Sequence, residues 1–183
     1  MATRQGSIDC LCGLYAVLNA TEILVIKYAI NKKAISQKRA LFGELVGYLA
    51  KKNKLEKAVV EGINKIDSPG GFLDIAVRSV KKYQKQKMRK QKAFPHDLVS
   101  LNEYWEMLTH HLKHGRSSVI ICLSGRREHW TCVKEITRNV LILADSSGLK
   151  QIDRHQCLIG TEKRGMYTLW PAMTYLLSLE SSV

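Results

Sequence analysis

The chain is expected to fold as a single α+β domain over residues 1–183, with a helical half to about residue 115 and an antiparallel sheet from about residue 116. Three observations predict this. Apolar residues recur at helical spacing through the first half. After Gly115 they give way to short β-branched and alternating runs. Helices gathered before strands, rather than interleaved with them, indicate α+β rather than a parallel α/β arrangement.

The elements follow in order. Cys12 to about Ile30 is rich in helix formers, with Val17, Ile23, Val25 and Ile26 resisting slightly. A second helix begins near Ser36, its apolar stripe carried by Ala40, Leu41, Leu45, Leu49 and Ala50, and ends near Asn53. Leu55 to Ile63 reads as a short helix interrupted by Gly62, and Ser68-Pro69-Gly70-Gly71 as a turn. Phe72 to about Lys85 is a further helix. Ser100-Leu101-Asn102-Glu103 fits a capping box, opening a helix that runs to about His114 and stops at Gly115. Ser118–Leu123, His129–Ile136, Val140–Asp145, Lys150–Leu158 and Met166–Trp170 read as strands. Pro171 is read as the first residue of a C-terminal helix ending near Leu179.

Composition narrows the function classes. An apolar fraction of 45% and a charged fraction of 25% suit a soluble globular protein that builds its own core. The longest apolar stretch, Leu11 to Ile30, is interrupted by Asn19, Thr21, Glu22 and Lys27, so no membrane span is expected. The N-terminus lacks the pattern of a secretory signal. Five cysteines without scaffold spacing suggest a reducing, cytoplasmic setting, although signal-independent delivery to another cell would leave the same record. There is no Gly-rich phosphate loop, and no cofactor is implied.

The net charge of +13 is high for 183 residues. Within 81–92, Lys81, Lys82, Lys85, Lys87, Arg89, Lys90 and Lys92 occur without an acid. The simpler reading is a solvated helix end running into a loop. The sharper one is an electrostatic footprint for nucleic acid, an acidic protein or a membrane surface. Only Tyr83 and Phe94 lie near it, which argues against stacking platforms for single strands.

The chemistry concentrates at two distant places. An isolated thiol ionises near pH 8.5, and at roughly 3.5–7.5 when it sits at a helix N-terminus or beside a histidinium. Cys12, at the start of an apolar helix, has both settings open to it; Cys10, two residues earlier in the loop, lacks the helix. Gly13 is read as leaving open space beside the sulfur. Of six histidines, His110, His111 and His114 share a helix and read as a solvated face, His96 follows a proline, and His155 lies in a polar strand. His129 alone opens an apolar-alternating strand, so it is the preferred base. A three-residue hairpin loop through Ile136-Thr137-Arg138 would set Asp145 opposite His129 on one face. A two- or four-residue loop would separate them unless a bulge intervened. Asp145 can otherwise be read as a turn aspartate before Ser146-Ser147-Gly148. Gln5 is a candidate oxyanion donor together with the Cys12 N–H. Zinc held by Cys10, Cys12, His129 and Cys132 is a competing reading, opposed by strand parity, which points Cys132 away from His129.

Gln5, Cys12-Gly13-Leu14-Tyr15-Ala16, His129-Trp130-Thr131 and Asp145-Ser146-Ser147 together resemble the papain-like cysteine peptidase superfamily, nearest its compact, C39-like bacteriocin-processing branch. The resemblance covers about residues 4–30 and 117–150. It implies a cysteine-bearing helix packed on an antiparallel sheet that carries the histidine and aspartate. It also implies roles: Cys12 as nucleophile, His129 as base and then acid, Asp145 as orienting acid and Gln5 as oxyanion donor. The interval from Gln5 to Cys12 is one residue longer than is typical of these peptidases. The expected activity is a cysteine hydrolase, peptidase or amidase, acting on a protein or peptide through a thioester. The same residues would serve a glutamine deamidase or acyltransferase, and because the fold also hosts inactive binding proteins, a non-catalytic basic module binding nucleic acid or protein is a second alternative.

Overall fold

The computed structural model describes residues 10–26 and 32–180 of the chain. It is a mixed structure of helices and a mainly antiparallel sheet: α1 (Cys12–Ile26), α2 (Lys32–Lys51), α3 (Leu55–Glu61), α4 (Phe72–Gln84), β1 (Met88–Lys92), α5 (Leu101–Lys113), β2 (Ser117–Gly125), β3 (His129–Ile136), β4 (Val140–Leu143), β5 (Gln151–Asp153), β6 (Cys157–Ile159), β7 (Tyr167–Leu169) and β8 (Tyr175–Leu179). The main sheet runs β1-β8-β2-β3-β4-β5, and β7 joins the far end of β2 and carries β6, which pairs with it in parallel. Among the described residues no helix is long and apolar enough to cross a membrane.

Strand alternation divides the core in two. Ile120, Trp130, Cys132, Ala144, Tyr175 and Leu177 face a cluster completed by α1, α2, α3 and α4. Val119, Ile121, Leu123, Val133, Leu141 and Leu143 face a second cluster completed by Tyr104, Trp105 and Leu108 of α5. Within each strand these residues lie on the face that alternation assigns. The helices therefore sandwich the sheet, with α5 alone on its own side.

Several expectations need correcting. The helical half is interrupted by β1, which takes up the end of the basic segment and pairs Met88–Lys92 with Leu179–Tyr175. The C-terminal helix expected after Pro171 is a single 3₁₀ turn, Pro171–Met173, followed by β8. Proline suits the first position of either turn, so the local signal was sound. What continues the chain as a strand is its pairing with β1 on one side and β2 on the other. The strand expected over 150–158 is broken by a 3₁₀ turn at Arg154–Gln156 into β5 and β6, and His155 lies in that turn. The end of α1 expected near Ile30 lies outside the described residues. The capping box is present as read: Ser100 Oγ accepts from Glu103 N at 3.2 Å, and Ser100 N donates to Glu103 Oε2 at 2.7 Å. Gly115, at φ 65°, stops that helix in the left-handed region where glycine carries no Cβ penalty.

Candidate active site

The helix α1 begins at Cys12, and Leu11 O accepts from Leu14 N and Tyr15 N at 2.9 and 3.1 Å to close its first turn. This puts the sulfur at the positive end of the helix dipole. Cys10 sits outside the helix, exposed, its N–H tied to Val59 O at 2.9 Å.

Gly13 seats the helix start. A Cβ built there would lie 3.0 Å from Ile66 Cγ2 and 3.3 Å from both Ile63 Cβ and Trp130 Cδ1. The open space expected beside Gly13 is instead a close approach. Trp130 Nε1 donates to Ile63 O at 2.6 Å, clamping the α3–α4 connection over the helix. The pair Cys12-Gly13 thus meets the pair His129-Trp130: the indole packs on the glycine, and the Cys12 side chain is near enough to the imidazole to favour its charged form.

His129 and Asp145 are brought together by a route other than the one the loop length implied. The β3–β4 turn has two central residues, Arg138 and Asn139, with Thr137 N donating to Val140 O at 2.9 Å. A regular ladder from that turn would set Asp145 across from Cys132, on the wrong face. A bulge at Lys134 shifts the register by one, giving Ile136↔Leu141, Glu135↔Ile142 and then Val133↔Leu143. Ala144 N donates to Cys132 O at 2.8 Å, and the same register carries Asp145 to a place opposite Thr131. Thr131 and His129 share a face, so the imidazole reaches the carboxylate.

The contact is close and buried. His129 Nε2 lies 2.6 Å from Asp145 Oδ2, with side-chain exposures of 5% and 0%. Asp145 Oδ1 accepts from Ser147 Oγ at 2.6 Å, Ser147 N at 2.8 Å and Leu149 N at 3.0 Å. Asp145 is therefore both a turn aspartate and the partner of His129. Ser147 Oγ also lies 3.4 Å from His129 Nε2. Thr131 Oγ1 is buried and makes no hydrogen bond of ordinary geometry, yet it is near enough to Asp145 to favour the carboxylate. Asn19 Nδ2 donates to Ala144 O at 3.0 Å, locking α1 to the strand end that carries Asp145.

The electrostatics follow. Burial by itself would push the His129 ring down, but its bond to Asp145 and the nearby Cys12 overcome burial and raise it to about 9. Burial would raise Asp145, but His129 and Ser147 hold it well below the usual carboxylate range. The two carry opposite charges across neutral pH. With Nε2 engaged by Asp145, Nδ1 is the ring nitrogen left for the thiol.

Of the remaining cysteines, burial and the neighbouring Cys12 push Cys122 up to about 12. Burial pushes Cys157 up to about 12 and Cys132 higher still. Cys132 points into the α1-side cluster, away from the His129 face, as strand parity required of the zinc reading. No group of three or more potential ligands occurs among the described residues. The helix histidines are not uniformly solvated: His111 Nε2 lies 3.0 Å from Leu177 O, while His110 and His114 stack edge-on at 5.2 Å. Gln5 lies outside the described residues.

Much of the basic segment is engaged within the fold. Lys90 pairs with Asp67 and Asp74, Lys87 and Arg89 with Glu180, and Lys82 with Glu44. Charged side chains on β1, an edge strand, also discourage pairing with another sheet.

Sequence reasoning missed the residues that build the site around its three side chains: the Trp130–Ile63 clamp, the Asn19 tie and the Ser147 hydroxyl. Only the last left a local signal, the Asp-x-Ser spacing of an Asx turn. Comparison of the chain with protein-family models, with curated proteins and with solved structures finds no match.

Proposed function

We propose that the protein is a cysteine hydrolase of the papain-like type that cleaves a peptide or amide bond through a thioester on Cys12. One observation carries this reading: a cysteine at a helix start lies near enough to a buried imidazole to favour its charged form, and that imidazole is held 2.6 Å from a buried carboxylate. A helix bearing the cysteine, packed on an antiparallel sheet bearing the histidine and aspartate, supports the papain-like reading.

In this mechanism Asp145 orients the ring and stabilises its cationic form. His129 is the base that holds the Cys12 proton while Cys12 Sγ, as the thiolate, attacks the carbonyl carbon. The oxygen that becomes negative meets the Cys12 N–H at the helix start and, by the resemblance, the Gln5 amide. His129 then protonates the leaving amine, and water resolves the thioester.

The test is mass-mapped alkylation by iodoacetamide near pH 6, joined to turnover of candidate substrates by wild type and Cys12→Ala. Selective modification of Cys12 over the other four thiols, with turnover abolished in a folded Cys12→Ala protein, is the expected result. Turnover persisting in that variant, or Cys10 and Cys12 reacting alike, would overturn the assignment.

A further inference from the structure

The loops that flank His129 carry a second charge pattern, unlike that of the basic segment. Arg126, Arg127 and Glu128 form the β2–β3 connection, so Arg127 and Arg126 precede the imidazole by two and three residues. That spacing keeps their backbones within about 10 Å of His129. The β6–β7 loop lies alongside, because Arg126 N donates to Met166 O at 2.7 Å and Gly125 pairs with Tyr167. This second loop presents Lys163 and Arg164, with Glu162, and is braced by Thr168 Oγ1 donating to Thr161 O at 2.9 Å. All four cations are exposed. None takes part in an ion pair among the described residues, whereas Lys82, Lys87, Arg89 and Lys90 do. Arg126 is instead steadied over the Tyr167 ring, 5.4 Å from its centroid.

Glu128 and Glu162 leave these two loops with a net charge of +2, from four cations and two carboxylates. The backbone bonds hold the loops in place, so their charges need little reorganisation to meet a ligand. Arg126 and Arg127, whose backbones lie within about 10 Å of His129, are inside one Debye length of it at about 0.1 M salt. The groove between α2 and α4 shows nothing that identifies an occupant.

We infer that Arg126, Arg127, Lys163 and Arg164 form a specificity rim that selects substrates bearing acidic side chains beside the reacting carbonyl. This rests on the proposed function, since the rim has meaning only beside a working nucleophile. An acidic peptide is drawn toward the cysteine, and its carboxylates replace the ion-pair partners that the four cations lack in the fold.

Two chloroacetyl tetrapeptides, one rich in Asp and one its Asn isostere, separate these ideas. In each reaction Cys12 Sγ bonds to the chloroacetyl carbon, the carbon–chlorine bond breaks and chloride leaves. Rates are read by intact mass, with the site mapped after digestion. The Asp peptide should label Cys12 roughly tenfold faster at low salt. The ratio should fall toward one in about 1 M salt, where the Debye length is about 3 Å. It should also fall in the protein carrying Arg126→Gln, Arg127→Gln, Lys163→Gln and Arg164→Gln. A ratio near one at low salt, with Cys12 still modified selectively, overturns the rim and leaves the hydrolase reading standing. A ratio that survives in the quadruple variant also overturns the rim. Failure of both peptides and of iodoacetamide to select Cys12 removes both readings.

Discussion

Replacing Asp145 by asparagine takes one charge from the centre of the site and leaves its shape almost unchanged. The amide oxygen can still accept from Ser147 Oγ, Ser147 N and Leu149 N. The amide nitrogen then occupies the place of Oδ2 and donates to His129 Nε2. That forces the proton onto Nδ1, the nitrogen left for Cys12, so the neutral ring can no longer accept from the thiol. The charge that raises His129 from 6.5 to about 9 is lost with it. At about 1.36 kcal/mol for each pH unit, that rise is worth ~3 kcal/mol at most.

The sign of the effect is fixed by the direction of the shift. A histidine raised on folding contributes stability that is complete below about pH 6.5 and disappears as pH rises through about 9. Asp145, held low, contributes stability that is present above about pH 4 and fades in acid. Wild type should therefore lose stability between about pH 6.5 and 9.5, and Asp145→Asn should be less stable near pH 6 by up to ~3 kcal/mol, the gap narrowing as pH rises. Urea unfolding followed by tryptophan fluorescence at a series of pH values measures this directly. Iodoacetamide labelling of Cys12 near pH 6 should slow about 10²-fold or more in the same variant. Parallel stability curves for the two proteins from pH 6 to 9.5 would refute the reasoning, because the carboxylate would then not be holding the proton on the ring.

Two further outcomes follow from the geometry. Gly13→Ala drives a methyl to 3.0 Å from Ile66 and 3.3 Å from Ile63 and Trp130, so it should destabilise by about 1–3 kcal/mol, visible as a lower Tm, and slow Cys12 labelling by displacing the helix start. Removing Lys134 should heal the bulge while leaving Val133 across from Leu143, so Cys12 labelling should be retained; its loss would show that the bulge does more than set register.

The parts of the fold that were legible from sequence are those written within a few residues. The Ser100–Glu103 capping box, the start of α1 at Cys12 and the onset of β3 at His129 each depend on neighbours in the chain, and local energetics decide them. The α+β class was legible for the same reason, since hydrophobic periodicity is local. The segment after Pro171 was not, because helix and strand compete closely there and the long-range ladders with β1 and β2 decide between them.

Within the candidate site, residue types and spacing pointed to Cys12, His129 and Asp145, but how the last two meet was not readable. A two-residue turn and a compensating bulge at Lys134 replace the three-residue loop, and a bulge leaves no reliable mark in a single sequence. The basic segment, likewise, is acid-free only along the chain; Asp67, Asp74, Glu44 and Glu180 reach it through space. Sequence by itself determined which chemical groups this protein holds and where its helices and strands begin, because those follow from covalent order and local propensity. Tertiary structure alone decided which groups touch, because register, close packing at Gly13 and charge pairing depend on residues brought together from far along the chain.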